Sequence, residues 1–403
     1  MERFDGSFTQ QEPIPESGIA AAVAVMRSGR LHRYNTAPDD IGETAALELA
    51  LAALVGARYC LAVASGGAAM RLALRAAGVG PGDRVLTNAF TLAPVPGAIA
   101  ALGAEPVFVE TTGDLTIDLD DLAAKAWPGA VLLLSHMRGH VADMDALMAL
   151  CNGAGVKVIE DCAHTMGGSF RGVASGRHGV AGCYSTQTYK HLNSGEGGLI
   201  VTDDPGLMAH MVLESGSYML FDRHPAAPPP EAFAALKWSV PNVSSRMDNL
   251  RAAILRAQLP LLADRVARWR ARHDVLQAAL ADVPGVATIR RHPDEVFVGS
   301  SFQFRLPGQD ADRIAAFLAR CAARGVEVKW FGRAEPQGFT SKHDHWRYAP
   351  PQPLPGTDAV LAGLIDMRLP LTFSLHDCAL IGRILAQEAV SNAPAPTLIR
   401  QGD

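Results

Sequence analysis

The feature that most limits what this 403-residue chain can become is an alternation. Short apolar runs at 59–64, 83–87, 106–110, 130–135, 156–160 and 199–202 are separated by segments whose apolar residues recur at helical spacing, such as 96–102 and 143–153. Several of the runs are apolar throughout, without the polar-out alternation of a strand with one wet face. Strands of that kind are buried on both sides, which predicts an α/β unit with a mostly parallel sheet between helices. In such sheets ligands bind beyond the C-terminal ends of the strands. Candidate functional residues therefore belong just after the apolar runs.

The flanking segments add helices at 16–30, ending at Gly29, and at 40–55, stopping at Gly56. Residues 221–233 read as a proline-rich surface excursion. The stretch 247–281 reads as a long helix broken at Pro260, with its run from Arg265 to His273 as a solvated face. A strand at 302–305, a helix at 310–324 and a strand at 326–330 outline a small α+β unit, followed by a loop with prolines at 350, 351, 353 and 355 and a frayed tail at 393–403. The division expected is a large α/β domain over 1–255 and a small C-terminal α+β domain over 256–403. A net charge of −5 argues against a nucleic-acid or anionic-membrane partner. No apolar run is long enough to span a bilayer, and the N-terminus lacks the pattern of a signal peptide. Six scattered cysteines without a C-x-x-C pair favour free thiols and a cytoplasmic protein over a zinc site or a disulfide framework.

Three motifs stand out, two of them just after apolar runs. Ser65-Gly66-Gly67 joins a strand to a helix and offers free backbone N–H groups to a phosphate. Asp161 stands one residue past a run, either as a helix cap or as a ligand group, with His164 three residues on. Tyr184-Ser-Thr-Gln-Thr-Tyr-Lys190 carries one lysine among hydroxyl side chains and leads into Gly195-Glu-Gly-Gly198. A lysine flanked by anion-binding groups, with glycines that let backbone approach a ligand, suits covalent imine chemistry, although alone it also reads as a solvated loop residue.

In order and spacing these motifs resemble the DegT/DnrJ/EryC1/StrS family of aminotransferases, of fold type I, over nearly the whole chain. The likeness extends to Ala101-Leu-Gly-Ala-Glu-Pro-Val-Phe-Val109, Val141-Ala-Asp-Met-Asp145, Arg246-Met247 and Arg368-Leu-Pro-Leu371. The resemblance implies a seven-stranded sheet, pyridoxal 5′-phosphate as cofactor, small-molecule amino donor and keto acceptor, and a homodimer with shared active sites. It makes Lys190 the lysine that carries the cofactor and moves the proton, and Asp161 the partner of the pyridinium nitrogen. It places His164 near the ring's phenolic oxygen, the phosphate on Ser65, Gly66, Gly67 and Ser185, and Gln187 facing cofactor or substrate. The reaction it implies is amino transfer from glutamate or glutamine to a keto group of a nucleotide-linked sugar or a cyclitol.

The chain departs from that pattern in four places. The phosphate turn has Gly67 where relatives carry threonine. The residue over the ring face is either Leu92 or Phe90. The residue that crosses the dimer interface is either Asn242 or Ser244. The usual His-x-x-Gly-Gln-Pro segment reads His136-Met-Arg-Gly-His140-Val, which brings Arg138 and His140, with Phe90, into consideration as substrate contacts. These departures leave room for a non-sugar keto compound. A dehydratase, in which histidine replaces the lysine, is disfavoured by Lys190, although His191 adjoins it. A cofactor-free binding protein on the same fold is disfavoured by the intact Asp161 and Lys190.

Overall fold

A computed structural model describes residues 2–392, so the tail expected at 393–403 lies outside the described residues. Helices α1 (Glu16–Ser28) and α2 (Glu43–Val55) stop where expected, each at a glycine in the left-handed region, Gly29 at φ 68° and Gly56 at φ 74°.

The central sheet has seven strands: β1 (Tyr59–Val63), β2 (Arg84–Asn88), β3 (Glu105–Val109), β4 (Val131–Ser135), β5 (Lys157–Asp161), β6 (Ala181–Ser185) and β7 (Gly198–Thr202). Their order is β1-β7-β6-β5-β4-β2-β3. Strand β7 runs antiparallel to β1 and β6, and the remaining pairs are parallel. Alternate residues of one strand feed two different cores, as the pleat requires. Val131 and Leu133 of β4 join the layer under α3 (Gly66–Ala76), α4 (Pro94–Ala100) and α7 (Pro205–Gly216). Leu132 and Leu134 join the opposite layer with α5 (Leu119–Lys125) and α6 (Met144–Ala154). The expected mostly parallel α/β sheet is present. Helix α7, which sequence reading missed, starts at Pro205 behind an Asp204 cap.

Helix α8 (Asn249–Arg256) and helix α9 (Leu262–Leu280) are separated by a short turn at Leu259–Leu261 that contains Pro260, the break the proline predicts. Beyond α9, a four-stranded antiparallel sheet carries β8 (Ala287–Thr288), β9 (Ser301–Arg305), β10 (Lys329–Trp330) and β11 (Leu364–Arg368), in the order β8-β9-β11-β10. Helices α10 (Ala311–Ala323) and α12 (Leu375–Asn392) pack on it, with α11 (Pro355–Ala362) before β11. Phe4 and Phe8 reach across to this unit and meet Phe373 edge-on at 4.8 and 5.0 Å.

One expectation fails because polar residues here have partners in the fold. Arg265, Arg272 and His273 on α9 are buried. Arg265 donates to the carbonyl of His191, and Arg272 to those of Leu371 and Phe373. The face read as solvated therefore clamps the turn after Lys190 and the segment that follows β11. The proline-rich excursion is pinned as well. Phe221 stacks on Phe233 at 4.4 Å, and His224 is buried in an ionic cluster.

That cluster ties the N-terminal segment to β1. Arg33 donates to both Glu48 oxygens at 2.8 and 2.9 Å, His224 lies 2.9 Å from Glu48 Oε2, and the Ala62 N–H of β1 donates to Oε1 at 2.7 Å. Burial alone would raise the Glu48 carboxyl, yet the charges of Arg33 and His224 and the Ala62 N–H hold it below its ordinary range. Removing one partner strands a buried charge, so Glu48→Ala should cost about 3–5 kcal/mol. Chemical denaturation followed by fluorescence checks this, and a variant that unfolds at the parent's midpoint refutes it.

Candidate active site

At the C-terminal end of β1 the chain turns directly into α3. The Ser65 hydroxyl caps the helix by accepting from the Ala68 N–H at 3.0 Å. The N–H groups of Gly66 and Gly67 have no partner among the described residues and stand at the positive end of the helix. A β-carbon on Gly66 would lie 2.9 Å from Ser185 Cβ, so the serine hydroxyl at the end of β6 is brought against the helix start. A β-carbon on Gly198 would lie 2.3 Å from the Ser65 carbonyl oxygen. Gly198 thus admits neighbouring backbone, where sequence reading had the glycines after Lys190 admit a ligand.

Asp161 ends β5, buried, with Oδ2 accepting from the Ser135 hydroxyl at 3.0 Å and Oδ1 from the Ala163 N–H at 3.1 Å. Ser135 in turn accepts from Thr91 at 2.8 Å, and its backbone is held by Asn88. Sequence reading did not single out Ser135, Thr91 or Asn88, although Ser135 is the last residue of a strand and the rule for parallel sheets applies to it. Burial pushes the Asp161 carboxyl above its ordinary range against the pull of the Ala163 N–H, Lys190 and Ser135. Glu160, one residue earlier, points to the other side. Its oxygens take the N–H groups of Gly176, His178 and Gly179 and the His136 ring, so it braces the loop after β5.

Lys190 lies on the turn after β6, its N–H donating to the Gln187 carbonyl. Its Nζ is 2.8 Å from His164 Nε2, and His164 Nδ1 accepts from the Arg138 N–H at 3.4 Å. That second bond puts the ring proton on Nε2, aimed at a neutral Lys190 amine. Burial, with the Lys190 and Arg138 charges, pushes His164 well below its ordinary range. Burial and the Arg138 charge also push the Lys190 amine down to about 7, with Asp161 pulling the other way and Arg368 adding to the fall.

These residues share one cavity of about 460 Å³ between the two sheets. Ser65, Gly66, Gly67, Leu92, Arg138, Asp161, His164, Ser185, Gln187 and Lys190 all line it, joined by Ser135, Tyr189, Phe339 and Arg368, of which the last three also went unnoticed as site residues. Other candidates lie elsewhere. Phe90 is packed edge-on against Phe331 at 5.2 Å within a core cluster, so of the two candidates for the ring face only Leu92 borders the cavity. His140 is buried against Gln303 at 2.9 Å, behind the cavity wall. His191 faces away, between Trp269 and Ser300. Asn242 and Ser244 lie on an exposed turn, where Asn242 accepts from the Ser244 N–H, and neither reaches this chain's own cavity.

The family model of the DegT/DnrJ/EryC1/StrS aminotransferases matches residues 14–380. The chain belongs to this family. It is a pyridoxal-phosphate-dependent aminotransferase. A pleiotropic regulatory protein of Geobacillus stearothermophilus is 33% identical over 283 residues, covering 68% of this chain and 70% of the relative. A UDP-N-acetyl-3-dehydro-α-D-glucosamine 3-aminotransferase of Acidithiobacillus ferrooxidans is 32% identical over 293 residues, covering 68% and 75%. The crystal structure of 3-amino-5-hydroxybenzoic acid synthase superposes with a TM-score of 0.82 at 26% identity, over 96% of this chain and 99% of that one. The donor set here fits the family's cofactor: two unpartnered N–H groups beside a serine hydroxyl suit a phosphate, and a buried carboxylate and a depressed lysine amine face the same space.

The depressed amine has a pH signature. Above about pH 7 Lys190 is neutral and nucleophilic, and below it the amine is protonated and inert. Capture of pyridoxal phosphate by the cofactor-free protein should therefore accelerate as pH rises through about 7 and then level off. Stopped-flow absorbance checks this, and a midpoint near the ordinary lysine value of about 10.4 contradicts it.

Proposed function

We propose that the enzyme moves an amino group from an amino acid, glutamate or glutamine, onto a keto group of a nucleotide-linked sugar or a cyclitol. The observation that carries the transamination chemistry is the convergence of Lys190, His164 and Asp161 on one cavity wall. The sugar-type acceptor is supported by the relative whose name describes amination of a UDP-linked 3-keto sugar. A non-sugar keto compound stays the second reading, because Arg138 borders the cavity where relatives carry a different segment.

Bound pyridoxal phosphate supplies an electron sink for the carbon that carries the substrate amine. The chain supplies the rest. The Gly66 and Gly67 N–H groups and the Ser185 hydroxyl hold the phosphate at the start of α3. Asp161, fixed by Ser135 and Ala163, pairs with the pyridinium nitrogen and keeps it protonated. Lys190 holds the cofactor and, once released, carries the proton at its Nζ, a role suited to an amine that titrates near neutrality. His164 Nε2–H would donate to the cofactor's phenolic oxygen. Leu92, which borders the same cavity, would serve as an apolar cover for the ring. Asn242 or Ser244, exposed in one chain, completes the site of a second copy in a homodimer.

Lys190→Ala should abolish turnover together with borohydride-trappable attachment of the cofactor. Full activity of that variant rules the mechanism out. Asp161→Ala should weaken cofactor affinity and slow amino transfer by about 100-fold or more, the scale of a lost acid–base partner. The half-reaction identifies the substrates. Amino acids are screened for the cofactor's absorbance change, then keto sugars, cyclitol ketones and keto acids are screened for its reversal. Reversal by keto acids alone overturns the sugar-type acceptor.

A further inference from the structure

A second cavity adjoins the catalytic one, with Phe339 and Arg368 lining both. Its volume is about 200 Å³, and its lining adds Thr9, Glu327, Lys329 and Gln337. Lys329 lies on β10 opposite Asp366 of β11, and Gln303 of β9 lies opposite Asp366 on the other side. Residues paired in this way share a sheet face, as do residues two apart on one strand. Lys329 therefore stands on the same face of the small sheet as Arg368.

Both Asp366 oxygens are taken, one by Arg138 and one by Gln303. The Lys329 ammonium is left with neither a hydrogen bond nor an ion pair among the described residues. The Gln337 side-chain amide is unpartnered among them as well, and the Thr9 hydroxyl meets Ser7 at 3.2 Å. Glu327 is the one carboxylate on this lining, and it makes no ion pair with Lys329.

Two cations against one carboxylate, beside an amide and a hydroxyl, suit a group with several negative charges and many acceptor oxygens. A phosphate is such a group, and the lysine ammonium meets it as a compact point charge. At about 200 Å³ the cavity falls below the roughly 300–1,000 Å³ of a pocket that holds a whole ligand. It suits one part of a ligand whose reacting end lies next door. In a nucleotide-linked keto sugar, the sugar ring separates the keto carbon from the diphosphate. A cyclitol has the ring and lacks the diphosphate.

We infer that this second cavity holds the diphosphate of a nucleotide-linked acceptor, with Lys329 as its principal cation. That choice selects the nucleotide-linked sugar over the cyclitol, and it rests on the amino-transfer reading proposed above.

The test is calorimetric titration of the holoenzyme with uridine 5′-diphosphate and with inorganic pyrophosphate. The holoenzyme is used because the cofactor's own phosphate then occupies the seat proposed at Gly66 and Gly67. Both ligands should bind, and Lys329→Met should weaken each by about 10-fold or more, the worth of a charge-assisted pair. Lys329→Arg should keep most of the affinity. Glu327→Gln should tighten both ligands, a change in the opposite direction that no loss of folding can produce. Binding that is equal in the parent and Lys329→Met, or absent from the parent, overturns the assignment. An equal loss for succinate also overturns it, since the cavity would then be a carboxylate site. Turnover of a cyclitol ketone by a parent that binds neither diphosphate overturns the acceptor class and leaves amino transfer standing. Failure of the parent to react with any amino acid would instead defeat the amino-transfer reading, and the titrations would still decide what the cavity holds.

Discussion

The site depends on the close approach of three backbone segments at Gly198. In the ladder this residue pairs with Val63 on one side and Ser185 on the other, and the Ser65 carbonyl lies where its side chain would be. The end of β1, the start of α3 and the end of β6 are thereby drawn together. The same approach brings the Ser185 hydroxyl to the free N–H groups of Gly66 and Gly67. Gly67 brings no hydroxyl of its own to this arrangement. The donors that remain are backbone groups, fixed by the capping of Ser65 on Ala68.

One low-dielectric cavity then acts in opposite directions on acid and base. It raises Asp161 and lowers Lys190 and His164, because each change disfavours the charged form. The shift on Asp161 is opposed by two hydrogen bonds and a nearby lysine, so this carboxylate is held ready to pair with a cation. The shift on Lys190 is reinforced by two arginines, so its amine is held ready to act as a nucleophile and proton carrier near neutral pH. Glu160 shows the contrast. It is equally buried, but its four protein donors make it a brace, and the alternation of side chains along β5 keeps it on the opposite face from Asp161.

What sequence conveyed was the part written in local pattern. The apolar runs specified six of the seven strands, all but β6, Gly29 and Gly56 marked helix ends, Pro260 marked the break before α9, and the turns at Ser65, Asp161 and Lys190 met in one cavity. What it did not convey depends on tertiary partners. A row of arginines on α9 has the pattern of a solvated face until the carbonyls of His191, Leu371 and Phe373 are seen beneath it. Phe90 and Leu92 are two residues apart on an irregular segment, and only the surrounding packing sends one to the core and the other to the cavity. Arg368 was part of the matched Arg-Leu-Pro-Leu stretch, yet nothing local marks its face as the cavity face. Ser135 was within reach of the strand-end rule, whereas Phe339 was not, because it arrives from a loop about 150 residues after Lys190.

The segment 136–141 is tied to the C-terminal unit. Arg138 donates to Asp366, the other oxygen of Asp366 accepts from Gln303 at 2.7 Å, and Gln303 Oε1 accepts from His140. Burial holds His140 well below its ordinary range, so it is the neutral ring that donates its Nε2–H at the end of this chain. Four buried polar side chains from a loop of the large unit and two strands of the small one are thus hydrogen-bonded in series. Replacing Arg138 alone would leave Asp366 charged and half-paired in the interior, which costs more than the pair contributes. The four residues therefore work as a set. Phe339 on the cavity wall meets the guanidinium groups of both Arg138 and Arg368, and among the described residues Arg368 has no carboxylate partner.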